Sequence, residues 1–214
     1  MNLSLVVLAA GASRRFGAAN KLLQLLDGKP LLCHTLELAA ALPVMQRAAV
    51  CSVETAPLAK AAGFTVLLNP QPELGQSHSL RLGLAACRES DGCLFLTGDQ
   101  PFITEETLQR LIAAWQGEPG GIWGCEFEGR FSIPSIFPAA VYGELLTQDG
   151  IQPSCGNQIF QRLLIHRLVI QTLEEIEKIL VNPISIPLPD NRMYGSLTDT
   201  LNSSHSETNI PLVV

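Results

Sequence analysis

Short apolar runs alternate with stretches of helical periodicity through the first hundred residues, and that alternation leaves few folds open. Leu3 to Leu8, Ala48 to Val53, Thr65 to Leu68 and Gly92 to Thr97 each read as a buried strand. Between and after them, Pro30 to Ala41, Ala56 to Ala62, Ser77 to Cys87 and Thr104 to Trp115 carry helical spacing. Strands of four to eight apolar residues separated by helices are the mark of βαβ units around a mainly parallel sheet. Thr104 is placed to cap its helix, with Glu105 and Glu106 in the first turn, where acids suit the macrodipole.

The texture changes after Gly117. Gly120-Gly121, Ile133-Pro134 and Phe137-Pro138 suggest irregular strands and turns, antiparallel additions to the sheet. Asn157 to Ile165 and Glu174 to Leu180 read as helices. Pro, Ser and Asn accumulate from Pro183, and Ser203 to Asn209 has the composition of a poorly ordered tail. No internal repeat is visible.

Composition narrows the function classes. Apolar residues make up 47% of the 214 and charged residues 16%, which suits a buried sheet and argues against disorder. The net charge is -6 without a run of Lys or Arg, so nucleic acid is not an expected partner. The apolar start MNLSLVVLAAG lacks a basic segment and is too short to span a bilayer, so no membrane role is expected and the reading is a cytoplasmic protein. The six cysteines are scattered without a CxxC pair, which favours buried thiols over zinc or disulfides.

The strongest chemical signal follows the first strand. Leu8-Ala9-Ala10-Gly11-Ala12-Ser13-Arg14-Arg15-Phe16-Gly17 is followed by Lys21. Small residues and a glycine let backbone N–H groups approach a phosphate, and a following helix end adds partial positive charge. Arg15 and Lys21 bring a planar fork and a mobile point charge. Gly11 and Gly17 stand five residues apart with Ala18 next, so this is neither a Walker A loop nor a dinucleotide fingerprint. Two readings stay open on the residues alone: an anion-binding loop, or a plain strand-turn-helix connection.

Two further stretches carry chemistry. Gly75-Gln76-Ser77-His78-Ser79-Leu80-Arg81 opens an amphipathic helix, with Ser77 the expected N-cap. Leu94-Phe95-Leu96-Thr97-Gly98-Asp99-Gln100-Pro101 delivers one carboxylate from the C-terminal end of an apolar strand, where α/β sheets bind ligands. Mg²⁺ commonly takes one or two protein carboxylates and completes its octahedron with water and phosphate, so Asp99 alone is a sufficient anchor.

LAAGxSxRxGxxxK resembles the signature of nucleotidyltransferases that make sugar nucleotides, cytidyl-lipid precursors and molybdenum-cofactor dinucleotides. The longer stretch RFGAANKLLQLLDGKPLLCHTLELA is most similar to the branch that transfers CMP to the molybdenum cofactor, and Leu-Ala-Ala-Gly leans to CTP over GTP. The resemblance implies a Rossmann-like three-layer α/β nucleotidyltransferase fold with a mainly parallel central sheet. It places the domain at 1–194 and a poorly ordered tail at 195–214. It also implies that Leu8, Ala9, Ala10, Gly11, Ser13, Arg15 and Lys21 bind the triphosphate, and that Gly75, Ser79 and Arg81 contact the nucleotide. Asp99 would hold Mg²⁺, with Arg15, Lys21 and Asp99 the catalytic set. A phosphorylated small-molecule acceptor and the maturation machinery of a molybdenum hydroxylase are the implied partners.

The resemblance covers Leu5 to Leu108 and then fades. A Gly-His-Pro turn has its counterpart in Arg130-Phe131-Ser132-Ile133-Pro134, which keeps the Pro and loses the Gly-His, and an Asp-Ile-Asp-Thr-Pro segment has its nearest counterpart in Tyr194 to Thr200, with Asp190 and Asp199 nearby. Three alternatives follow: a sugar phosphate or methylerythritol phosphate as acceptor, a catalytically weakened nucleotide-binding relative acting as chaperone or regulator, and an unrelated α/β domain.

Overall fold

The computed structural model describes residues 1–11, 20–127, 130–147 and 165–169. In chain order the elements are β1 (Leu3–Ala9), β2 (Leu25–Leu26), β3 (Lys29–Pro30), α1 (Leu31–Ala41), β4 (Gln46–Cys51), α2 (Ala56–Ala61) and β5 (Thr65–Leu68). They continue as α3 (Gln76–Ala86), β6 (Gly92–Thr97), α4 (Glu105–Gly117), β7 (Ile122–Phe127), β8 (Arg130–Pro138), α5 (Tyr142–Thr147) and β9 (Ile165–Val169).

Seven strands form one sheet in the order β5-β4-β1-β6-β8-β7-β9. β1 pairs in parallel with β4 and β6, β4 with β5, and β7 with β9, whereas β8 runs antiparallel to both β6 and β7. Of the expected antiparallel additions, β8 alone runs against the sheet; β7, antiparallel to β8, points the same way as β6. The first four sheet strands follow the doubly wound order, in which the chain builds outward on one side of β1 and then crosses to the other. All seven residues of β1 are buried, because helices cover both faces of a parallel sheet.

Alternation along β1 sorts the core into two layers. Leu3, Leu5 and Val7 face Leu32 and Leu36 of α1, Ala59 of α2 and Leu108, Leu111 and Trp115 of α4. Val6 and Leu8 face Leu84 of α3 and Val141 and Leu145 beside and within α5. Helix, sheet, helix makes three layers, the Rossmann-like arrangement expected. Among the described residues no helix is long and apolar enough to cross a membrane.

Several expectations shift. Asp27 and Gly28, both at positive φ, close the β2–β3 hairpin, which the sequence reading passed over. The strand expected at Ala48 to Val53 is moved back to Gln46–Cys51, and Val53 is exposed. Ser77 does not cap α3: Gly75 takes the cap position at φ 85°, ψ −176°, backbone that glycine alone adopts comfortably. Thr104 caps α4 as expected, its Oγ1 accepting from the Thr107 N–H at 3.2 Å. Ile165, expected at the end of a helix, is the first residue of β9. The rest of that helix, the one at Glu174 to Leu180 and the domain boundary at 194 lie outside the described residues.

Of the five described cysteines all are free thiols, and Cys51, Cys87, Cys93 and Cys125 are buried as expected. Burial alone pushes the Cys125 thiol up to about 12. Cys87 goes the other way, lowered chiefly by a hydrogen bond from Cys93.

Gly92 opens β6 against Trp115, and a Cβ there would lie 2.4 Å from the indole Cζ2. Trp115 is wholly buried, and its rigid indole cannot bend away as a flexible chain end would. Gly92→Ala is expected to cost about 1–3 kcal/mol of stability, read as a lower urea midpoint with unchanged slope.

Candidate active site

The sheet order fixes where a ligand site belongs. The chain reverses its direction of growth between β1 and β6, and open α/β sheets bind ligands outside the carboxyl ends of the strands at that point. Leu8 pairs with Thr97 at the ends of these two strands. The segments that leave them carry Lys21 and Asp99.

Lys21 Nζ and Asp99 Oδ2 stand 3.4 Å apart, although 78 residues separate them in sequence. Their side chains retain 34% and 44% of their exposure, so the pair is partly solvated and contributes little to stability.

Each partner is held from behind. Lys21 begins a single 3₁₀ turn, Lys21–Leu23, capped by Asn20, whose Oδ1 accepts from the Leu22 N–H at 3.1 Å. The Asn20 Nδ2 donates to Glu54 Oε2 at 2.7 Å, fastening the lysine turn to the loop after β4. On the other side, the Gly98 N–H donates to the Leu8 carbonyl at 3.0 Å, and the Gly98 carbonyl accepts from Thr35 Oγ1 at 3.4 Å. Gly98, which leads into Asp99, is thus tied to β1 through its N–H and to α1 through its carbonyl. A Cβ at Gly98 would lie 2.7 Å from Leu32 Cδ1, so any larger residue there has to displace the end of that side chain.

The end of β1 is pinned as well. Thr55, fully buried, donates its hydroxyl to the Ala9 carbonyl at 2.8 Å and accepts from the Ser52 N–H at 3.0 Å. Leu8, Ala9 and Ala10 are buried and Gly11 is exposed, so the chain surfaces where the phosphate loop was expected to begin. Ser13 and Arg15 lie outside the described residues.

The second expected cluster lies around the start of α3. Gly75 holds the backbone that lets α3 begin. Ser79 is buried and its Oγ accepts from Asn69 Nδ2 at 3.0 Å, while Asn69 Oδ1 accepts from the Gln71 N–H at 2.9 Å. These bonds hold the 69–75 loop against the helix. Arg81 is half-buried two residues beyond Ser79.

Asn20, Glu54, Thr55 and Gln100 were assigned no role from sequence. Asn20 and Gln100 each sit beside a residue that was chosen, and that adjacency was the available signal. Thr55 and Glu54 gave no comparable signal, because their partners are 46 and 34 residues away.

A divalent cation at Asp99 meets a half-exposed carboxylate beside one ammonium group. Among the described residues there is no group of three or more His, Cys, Asp or Glu able to enclose a metal. That donor set fits an ion held by one carboxylate with phosphate and water oxygens, and not a closed protein cage.

Residues 5–167 match the MobA-like NTP transferase domain. The chain belongs to that family. It is 37% identical over 114 residues to the bifunctional protein GlmU of Nitrosospira multiformis, covering 52% of this chain and 25% of that protein. It thus spans about a quarter of the length of the curated relatives it matches. Among solved structures, Rv0371c of Mycobacterium tuberculosis superposes with a TM-score of 0.68 at 26% identity, covering 85% of this chain and 98% of that one. A manganese complex of the same protein gives 0.64 at 24%, covering 85% and 100%. The molybdopterin-guanine dinucleotide biosynthesis protein A of Archaeoglobus fulgidus shares the fold, with a TM-score of 0.61 at 19% identity over 94% and 99% of the two chains. Nucleotidyl transfer is the general activity these relationships support.

Thr55→Val keeps the shape of the buried side chain and removes its hydrogen bonds, leaving the Ala9 carbonyl and the Ser52 N–H unpaired. The expected loss is about 1–3 kcal/mol in chemical denaturation, with Thr55→Ser recovering most of it.

Proposed function

We propose that this protein is a Mg²⁺-dependent cytidylyltransferase that moves CMP from CTP onto a phosphorylated small molecule, the molybdopterin of the molybdenum cofactor, and releases pyrophosphate. The observation that carries the reading is the Lys21–Asp99 pair at the carboxyl ends of β1 and β6. An ammonium and a carboxylate held there are the minimum needed to grip a triphosphate and its counter-cation.

The reaction is an in-line displacement. An oxygen of the acceptor phosphate bonds to the α-phosphorus of CTP as the bond to the pyrophosphate oxygen breaks. The acceptor is already an anion, so no general base is needed, and catalysis reduces to positioning and charge. Lys21 neutralises charge growing on the departing pyrophosphate, assisted by Arg15 from the loop after β1. Asp99 would hold the divalent cation, which would supply further neutralisation of the triphosphate charge. Gly11 and Ser13 offer backbone N–H groups to the same phosphates, and Gly75, Ser79 and Arg81 form the nucleoside side of the site.

Support for CTP comes from the Leu-Ala-Ala-Gly form of the loop. The fold shared with the Archaeoglobus protein supports molybdopterin as acceptor, and the manganese complex of Rv0371c supports a divalent cation. A cytoplasmic location and association with the maturation machinery of a molybdenum hydroxylase complete the proposal.

Calorimetric titration with CTP and with GTP, each with and without Mg²⁺, tests it. CTP is expected to bind preferentially and only with Mg²⁺, and Asp99→Ala to weaken that Mg²⁺-dependent binding. In pyrophosphate-release assays with molybdopterin as acceptor, Lys21→Ala and Asp99→Asn are each expected to lower kcat/KM by on the order of 100-fold or more, about 3 kcal/mol of transition-state stabilisation. If neither nucleotide binds, the assignment is wrong.

A further inference from the structure

Gln100 occupies a place where a peptide group would ordinarily stand. β6 and β8 pair antiparallel from Gly92 with Pro138 to Phe95 with Ser135, and the ladder then stops. Continued two residues further, the same register would set Thr97 opposite Ile133. The Gly98 N–H turns toward β1, so the Thr97 N–H turns toward β8. It does not end on Ile133. The Gln100 Oε1 accepts from the Thr97 N–H at 3.4 Å, and the Gln100 Nε2 donates to the Ile133 carbonyl at 2.8 Å. One carboxamide is inserted in the ladder, carrying the bond across a gap that the two backbones no longer close.

The far side of that gap is irregular as well. The β7–β8 register shifts between Gly124, opposite Ser135, and Cys125, opposite Ser132. Ile133 and Pro134 therefore have no partner on β7. With β6 also withdrawn, the Ile133 carbonyl depends on Gln100.

We infer that Gln100 is a positioning residue whose side-chain amide spreads the ends of β6 and β8 and so fixes the turn that presents Asp99. Asp99 lies between the two points that Gln100 controls: Thr97, to which it bonds, and its own backbone. With the two peptide groups that flank Gly98 held by Leu8 and Thr35, the Gln100 bridge supplies restraint from the opposite side of the turn. A carboxylate that must meet a cation within a few tenths of an ångström benefits from restraint on both sides. The inference rests on the reading of Asp99 as the cation anchor.

Mn²⁺ binding in the presence of CTP, followed by electron paramagnetic resonance, tests it on the full chain as wild type, Asp99→Asn, Gln100→Leu and Gln100→Glu. Gln100→Leu removes both bonds at similar volume, and Gln100→Glu keeps the acceptor for Thr97 while losing the donor to Ile133. Both are expected to weaken Mn²⁺ binding roughly tenfold, as for residues that orient a metal ligand without touching the metal. Amide exchange at Thr97 should accelerate in Gln100→Leu and stay slow in Gln100→Glu, with the exchange of Leu94 and Phe95 unchanged in both. Unaltered Mn²⁺ affinity in both variants, in a protein whose affinity depends on Asp99, overturns the inference alone. Unaltered Thr97 exchange in Gln100→Leu overturns it too. A wild type that does not bind Mn²⁺ with CTP brings down the site reading and the inference together.

Discussion

Strand β1 is the member on which the other parts of the site depend. It is buried along its whole length and hydrogen-bonded on both sides, to β4 and to β6, so neither edge has freedom to slide. A one-residue slip would exchange the two core faces, sending Leu5 and Val7 against α3 and Val6 and Leu8 against α1. Its last carbonyls are also its attachment points. The Leu8 carbonyl takes the Gly98 N–H and the Ala9 carbonyl takes the Thr55 hydroxyl. The loop after β4 and the turn after β6 are therefore referenced to the same strand end, and the Lys21 turn is referenced to the first of these through Asn20 and Glu54. A few bonds of ordinary strength then suffice to hold opposite charges together from distant parts of the chain.

Electrostatics explains why such placement is needed. The chain carries a net charge of -6, so its mean field does not attract a triphosphate. For the proposed triphosphate, attraction would have to come from local cations, and a carboxylate in the same place would be counterproductive unless it recruited a cation of its own. The pairing of Lys21 with Asp99 is consistent with that division of labour. The pair itself adds little to folding, because both groups remain partly solvated.

The parallel half of the fold was legible because its signals are local. Runs such as Leu3 to Leu8 and Gly92 to Thr97 announce buried strands by composition, and the Thr104 cap announces its helix. The position of Asp99 just beyond the end of β6 was legible because strand and turn are adjacent in sequence. The β2–β3 hairpin was missed although Asp27-Gly28 is a strong turn signal, because its strands are only two residues long and carry no alternation. Ser77 was mistaken for a cap because its side chain suits that role, whereas Gly75 earned the position through a backbone angle that composition does not reveal. The bonds of Thr55 and Gln100 were hidden for a different reason. Each joins residues whose proximity is created by the sheet order, and no window along the chain contains both ends.

The pairing of β1 with β6 also has a cost in time. Leu3 meets Gly92 and Leu8 meets Thr97, so about 90 residues must be synthesised between the two partners. At roughly 5–20 residues per second, an apolar strand destined for the centre of the sheet waits on the order of 5–20 s for one of its neighbours. β4 arrives sooner and can cover one edge, but the other stays open until β6 emerges. During that interval β1 presents an unpaired edge, so the strand that organises the finished protein is also one that stays exposed to stray pairing while the protein is being made.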